Sequence, residues 1–246
     1  MLKKIILLRE RVDDWNAYPF SVPAIRTFSE LVLRSRVLFC TGENGSGKST
    51  LLEAIAANYG FGPEGGNRNF SHNSTESNNA VDPLADVLRL SFDIRTGAGY
   101  YLRAESFFNT ATHIDQLGVS GYGDRKLHDQ SHGESFFTLL GHKFRGNGLF
   151  LIDEPEAALS PQRLLSLLVL LHDTLQMFKD AQFIISTHSP ILLAYPGAQI
   201  LSFDDGVLHE IDYEDTAPVQ IVQRFLTHRK HFLDELFQET PSLFDE

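Results

Sequence analysis

Cysteine is nearly missing from this chain: Cys40 is the single one among 246 residues, so no disulfide framework can form. It lies in an apolar run and is expected to be a small buried residue. Basic charge is also scarce. Lys and Arg total 21 against 32 Asp and Glu, a formal charge of −11, which argues against a generally basic surface that coats nucleic acid. A local basic patch remains compatible with that balance. No apolar run approaches the length of a membrane span. The opening stretch from Met1 to Arg9 has too short an apolar core for a signal peptide and reads better as a first strand. A soluble, reducing, cytoplasmic setting is the expectation. With 42% hydrophobic residues the chain can build a substantial core, as one large domain or one with an inserted lobe.

Against these absences stands one dense motif, Gly42-Glu43-Asn44-Gly45-Ser46-Gly47-Lys48-Ser49-Thr50. It fits G-x-x-x-x-G-K-[ST], a phosphate-binding loop. Glycines let successive N–H groups converge on an anion, Lys48 reaches the β/γ-phosphates, and Ser49 offers its hydroxyl to Mg²⁺. The helix that follows turns its positive end toward the phosphates. Val37–Cys40 predicts a buried strand before the loop. Leu51, Ile55 and Tyr59 predict an amphipathic helix after it, stopped by Gly60. The motif in that context predicts binding of a nucleoside triphosphate.

Strand-like runs occur at Lys3–Leu8, near Phe20–Ile25 and at Leu31–Cys40. The segment from Gly60 to Pro83 is rich in Gly, Asn and Ser and predicts a mobile surface insertion. Val87–Ile94 and Tyr100–Arg103 flank Gly97-Ala98-Gly99 and predict a β-hairpin. Glu134–Phe144 predicts a helix. Leu149–Ile152 and Phe183–Ser186 are continuous apolar runs, as strands of a parallel sheet buried on both faces should be. Between them a helix is expected from Pro161, with Ser160 as N-cap, to about Phe178; its leucines suit a core better than a zipper. Alternating strands and helices around a phosphate loop indicate an α/β sheet domain.

Three further sites carry chemistry. Asp153 and Glu154 end an apolar strand, where α/β proteins bind ligands. Asp153 would hold Mg²⁺, and Glu154 could position and deprotonate an attacking water. His188 follows the next apolar strand at the same place relative to the sheet edge and so can reach a γ-phosphate. Ser131-His132-Gly133-Glu134 opens a helix, where Ser131 and Gly133 either cap that helix or form a second anion site.

The order of Gly42–Thr50, Ser131-His132-Gly133-Glu134, Asp153-Glu154-Pro155 and His188 resembles an ATP-binding-cassette (ABC) ATPase domain. It is similar in particular to small stand-alone bacterial members labelled AAA-family ATPases. Tyr18-Pro19-Phe20 and Arg103–Phe108 add to the likeness. The resemblance implies one domain over residues 1–246: a mainly parallel core sheet (1–105 and 147–246), an N-terminal antiparallel β lobe, and an inserted helical lobe over about 106–146. It implies a nucleotide-dependent homodimer in which Ser131 and Gly133 of one subunit contact the γ-phosphate held by the other. It also implies adenine stacking by Trp15, Tyr18 or Phe20, and coupling of turnover to a protein partner.

The sequence departs from that family in three places. Gln130, His132 and Glu134 replace three of five positions of the usual Leu-Ser-Gly-Gly-Gln signature. No glutamine occurs between Lys48 and Gln116, which leaves Glu105 or Ser106 in the place of the family's loop glutamine. Ala157-Ala158-Leu159-Ser160 stands where the family usually ends in Leu-Asp. An Asn-Lys-x-Asp guanine-reading motif is absent, which disfavours a GTPase, and a small-molecule kinase would not need Glu154 beside Asp153. A non-hydrolysing nucleotide switch is the alternative class; Glu154 and His188 speak against it. The segment between Lys48 and Asp153 is too short for long coiled-coil arms. Transport through a separate membrane subunit, DNA repair and phage defence all fit these residues.

Overall fold

The computed structural model of the chain describes residues 1–62, 65–66, 80–104 and 132–239. Two sheets organise them. The larger has six strands: β3 (Val37–Thr41), β5 (Gly99–Arg103), β6 (Leu149–Asp153), β7 (Gln182–Ser186), β8 (Gln199–Ser202) and β9 (His209–Glu210). Their order is β5-β6-β7-β3-β8-β9, parallel except for β9 at one edge. Every residue of β3, β6 and β7 is buried, the pattern imposed when helices or a second sheet cover both faces. The smaller sheet is antiparallel, ordered β2-β1-β4 from β1 (Leu2–Leu7), β2 (Glu30–Val32) and β4 (Leu88–Phe92). The expected α/β architecture, mostly parallel with an antiparallel β lobe, is therefore present.

Helix α2 (Lys48–Tyr59) follows the glycine loop and ends where Gly60 donates its N–H to the carbonyls of Ala56 and Ala57. It buries Leu51, Leu52, Ile55 and Tyr59 in the core between the two sheets, beside Leu2, Ile5, Leu38 and Leu151. The opposite face of the large sheet is covered by α4 (His132–Lys143) and α5 (Pro161–Met177). On α5 the leucines at 164, 167, 171 and 175 are buried while Leu165 and Val169 face solvent, so one stripe at helical spacing does the packing. Each such leucine contributes about 1.5–3 kcal/mol by leaving water. Ser160 occupies the N-cap position with extended φ/ψ, although its hydroxyl makes no capping bond.

Several sequence expectations are corrected. Phe20–Ile25 is not a strand: Pro23 opens a short helix, α1 (Pro23–Thr27), because its fixed φ suits a first helical position. Leu31–Cys40 is two strands in different sheets. The polar Arg34-Ser35-Arg36 step divides them, tied down by Ser35 Oγ to the Gly197 carbonyl (2.7 Å) and Arg36 to the Leu175 carbonyl (2.9 Å). The end of the supposed insertion and the start of the next strand contain a helix, α3 (Asp82–Val87).

The hairpin is also wrong. β4 pairs antiparallel with β1, whereas β5 pairs parallel with β6. Their burial patterns separate them: β4 alternates, as a one-sided sheet requires, and Tyr100, Tyr101 and Leu102 are all buried. At the start of β5, Gly99 has φ +140°, and a Cβ there would come within 1.9 Å of the Leu149 carbonyl oxygen. That glycine permits close pairing with β6 rather than marking a hairpin turn. The helix expected at Glu134–Phe144 is α4, displaced toward the N-terminus. Ser131, Glu105 and Ser106, like most of the expected insertion and helical lobe, lie outside the described residues.

Candidate functional site

Parallel register sets a row of residues along the C-terminal edge of the large sheet: Arg103 beside Asp153, Asp153 beside Ser186, and Ser186 beside Cys40. The glycine loop leaves the sheet one residue beyond Cys40 and lies over this row. Gly47 closes the loop at φ +105°, a left-handed conformation that side chains rarely adopt, and a Cβ there would meet Val22 Cγ1 at 2.7 Å. Glycine at this position lets α2 begin with Lys48 directly above the sheet edge.

Lys48 is 3% exposed and folds back over its own loop, donating to the carbonyls of Gly42 (2.7 Å) and Glu43 (2.9 Å). Those two bonds place the ammonium at the mouth of the loop and leave a third donor for an anion. Ser49 Oγ donates to Asp153 Oδ1 at 2.9 Å, and Ser186 Oγ donates to the same oxygen. Asp153 Oδ2 lies 3.8 Å from Arg103 Nε, while Arg103 also pairs with Glu53 at 2.8 Å. A hydroxyl and a carboxylate are thus in contact where α2 starts, the donor set Mg²⁺ uses alongside phosphate oxygens and water.

The loop also has the form of an anion cradle. Ser46 Oγ is buried without a hydrogen-bond partner, an acceptor and donor already desolvated for a ligand. Around Gly45 there is open space, and the first-turn N–H groups of α2 project from the helix end. Glu43 N–H is held by Asp204 Oδ1 at 2.8 Å, and Asp204 Oδ2 accepts from Ser202 Oγ at 3.2 Å, tying the loop to the end of β8. Asn44 and Glu43 line a cleft of about 320 Å³ with His188, Asp204 and Ile221. The residues present fit a Mg²⁺-bound phosphate chain.

Glu154 follows Asp153 with φ +47° and ψ +57°, unusual for a residue with a side chain. Its N–H donates to the Ser186 carbonyl at 3.1 Å, which fixes the turn at the edge of the sheet. Such backbone strain, of order 1 kcal/mol or more, concentrates at functional sites. His188 lies two residues past the end of β7, and its Nδ1 is 3.2 Å from Glu156 Oε1. Gly133 lies in the first turn of α4. No contact of Gly133 with the loop is among the described interactions.

The three aromatic candidates separate cleanly. Phe20 is buried in the core. Trp15 is packed edge-on to Phe20 (5.9 Å) beneath the guanidinium of Arg9 (4.1 Å). Tyr18 is 51% exposed, with its hydroxyl 3.2 Å from Thr50 Oγ1. It alone of the three presents a ring surface beside the loop.

Four participants escaped the sequence reading as site residues: Ser186, Glu156, Asp204 and Arg103. Ser186 had a signal, since it ends an apolar strand as Asp153 does. Asp204 comes two residues after the end of β8, a strand that sequence reasoning did not identify.

Burial also governs the titrating groups behind the site. The Cys40 thiol is pushed up to about 12, chiefly by burial, against the lowering effect of Lys48. Burial likewise drives the Tyr101 phenol well above its usual value, with the Asp153 charge adding to the effect. Cys40 is accordingly an inert thiol beneath the loop.

Strand, glycine loop and helix beside an acid-tipped parallel strand define a P-loop domain. The chain belongs to the family described as "AAA domain, putative AbiEii toxin, Type IV TA system", which it matches over residues 64–194. That span includes Asp153, Glu154 and His188, and the phosphate loop lies ahead of it. No curated protein sequence matches the chain. Among solved structures, CbiO1 from Clostridium perfringens, part of the ABC transporter complex cbiONQ, is 15% identical. The match covers 85% of this chain and 92% of that one, with a TM-score of 0.47. The SMC head domain from Thermotoga maritima is 18% identical, with 86% and 98% covered and a TM-score of 0.44. An ATP-binding subunit of an ABC transporter is 18% identical, with 87% and 92% covered and a TM-score of 0.43. Among the described residues, no helix is long and apolar enough to cross a membrane.

Proposed function

We propose that the chain binds ATP with Mg²⁺ at residues 42–50 and hydrolyses it. The observation that carries this reading is the contact of Ser49 with Asp153 beside the buried ammonium of Lys48. In this reading Lys48, with the N–H groups of the loop through Thr50, holds the β/γ-phosphates. Ser49 and Asp153 hold the metal, which neutralises phosphate charge when bound. Glu154 orients the attacking water and takes its proton, and His188 faces the γ-phosphate from the neighbouring strand. Tyr18 stacks on the adenine.

Dimerisation around ATP belongs to the same proposal. Ser131 and Gly133 of one subunit would complete the site of the other, and turnover would be passed to a protein partner in the cytoplasm. Arg103, paired with Glu53, lies beside Asp153 at the proposed metal site.

A phosphate-release assay tests the reading. The parent chain should release phosphate from ATP in a Mg²⁺-dependent way, and Glu154→Gln should still bind ATP while turning over about 10²–10⁴-fold more slowly, the scale of a positioned base. Parental turnover by Glu154→Gln would remove the base from Glu154. Tight ATP binding with no release by the parent would instead identify a nucleotide switch.

A further inference from the structure

Three donors converge on one carboxylate oxygen at the rim of the site. Glu156 Oε1 accepts from the Thr187 hydroxyl at 2.7 Å and from the His188 backbone N–H at 2.7 Å, and it lies 3.2 Å from His188 Nδ1. The carboxylate side chain is only 10% exposed, whereas the imidazole is 52% exposed. Its other oxygen, Oε2, is buried without a partner. Glu156 sits in the short turn that follows Glu154, and Thr187 is fully buried, so both ends of the arrangement are rigidly placed.

An imidazole chooses its tautomer by the partner its Nδ1 finds. An acceptor-only carboxylate there requires a proton on Nδ1. The ring is thereby held in one orientation, with Nε2 on the side away from Glu156. His188 also lines the cleft shared with Glu43 and Asn44. We propose that Glu156 is the positioning residue of His188: it fixes the Nδ1–H form of the ring and presents Nε2 to the nucleotide. This rests on the hydrolytic reading above. The arrangement repeats the logic of a carboxylate that orients a catalytic histidine without touching the substrate.

The backbone bonds give Glu156 a structural share as well, so the test must separate orientation from folding. Nitrogen NMR of histidine-labelled protein, at a pH where imidazoles are neutral and without nucleotide, reads the tautomer directly. A His188→Gln spectrum assigns the signal. In the parent, Nδ1 should carry the proton. Glu156→Gln keeps an acceptor oxygen at the same place and should retain that tautomer. Glu156→Ala should shift His188 toward Nε2–H, the form ordinary in water. An Nε2–H tautomer in the parent, or an unchanged tautomer in a folded Glu156→Ala variant, overturns the proposal. If the alanine variant fails to fold, the parent tautomer decides together with Glu156→Gln.

Turnover supplies the second reading. Glu156→Ala should lower kcat about 10–100-fold, the scale for partners that orient a histidine, with little change in KM for ATP. Glu156→Gln should recover most of it. In a His188→Ala background, Glu156→Ala should cost almost nothing more. An equal further loss there shows that Glu156 acts independently of His188. Should the parent hydrolyse no ATP, the hydrolytic reading fails, while the tautomer measurement still judges Glu156.

Discussion

Ser49 Oγ donates to Asp153 Oδ1 at 2.9 Å, joining the first turn of the loop helix to the last residue of β6. The two residues lie far apart in sequence and meet only because β6 and β3 flank β7 in one parallel sheet. Ser186, on the intervening strand, donates to the same oxygen. Sheet order therefore assembles the pair, and Asp153 Oδ1 is met by one hydroxyl from a helix and one from a strand before any ligand arrives.

Lys48→Ala is expected to abolish ATP binding. The ammonium is buried, and its two bonds to loop carbonyls hold the glycine loop in shape as well as supplying charge. Removing it takes away the principal cation from a desolvated phosphate site. Calorimetry with Mg²⁺ and ATP measures this, and equal affinity in variant and parent would exclude the loop as the binding site.

Much of this geometry can be read from residue order, for a physical reason. β3, β6 and β7 are buried on both faces and so appear as unbroken apolar runs. The loop's glycines are dictated by local backbone geometry, as at Gly47. What local patterns do not carry is partner choice. Gly97-Ala98-Gly99 looks like a hairpin turn, yet Gly99 serves a close approach to Leu149, a residue outside that segment. Glu156 was invisible for a similar reason: three carboxylates stand at 153, 154 and 156, and spacing alone does not tell which one meets His188.

Tyr18 gives a prediction about the base. Its ring is exposed and anchored through its hydroxyl to Thr50, while Phe20 is part of the core. Tyr18→Ala should weaken ATP binding about ten- to a hundredfold, since stacking on a base is worth ~1–3 kcal/mol. Tyr18→Phe should bind nearly as the parent does. Unchanged affinity in Tyr18→Ala would assign the base to another surface.

Alkaline stability should report the buried thiol. Cys40 is raised from 9.0 to about 12, so above pH 9 the unfolded chain gives up this proton before the folded one does. Fewer protons bound in the unfolded state means that stability falls as pH rises, by at most about 1.4 kcal/mol per pH unit from this group. The contribution is whole below pH 9 and is lost on the way to 12. Urea melts of parent and Cys40→Ala at pH 8 and 10.5 compare the two. The variant should lose less stability between these values, although it starts lower because of the cavity left behind. Parallel losses in both would mean that the thiol titrates normally.

The dimer proposal turns on Ser131. If this serine serves the partner's nucleotide, Ser131→Arg should leave ATP binding by the monomer nearly intact, because its own subunit's phosphates are held by residues 42–50. Dimerisation with ATP should fail, since the added bulk and length fall at the facing γ-phosphate. Mixing Ser131→Arg with Lys48→Ala subunits then examines the geometry. A mixed dimer has one composite site that carries both defects and a second built from intact Lys48 of one subunit and intact Ser131 of the other. Partial turnover by the mixture, with neither variant active alone, is the expected result. Sedimentation with and without ATP follows assembly in parallel. Full activity and normal ATP-dependent assembly by Ser131→Arg alone would make Ser131 a helix cap only, and the composite site would have to be abandoned.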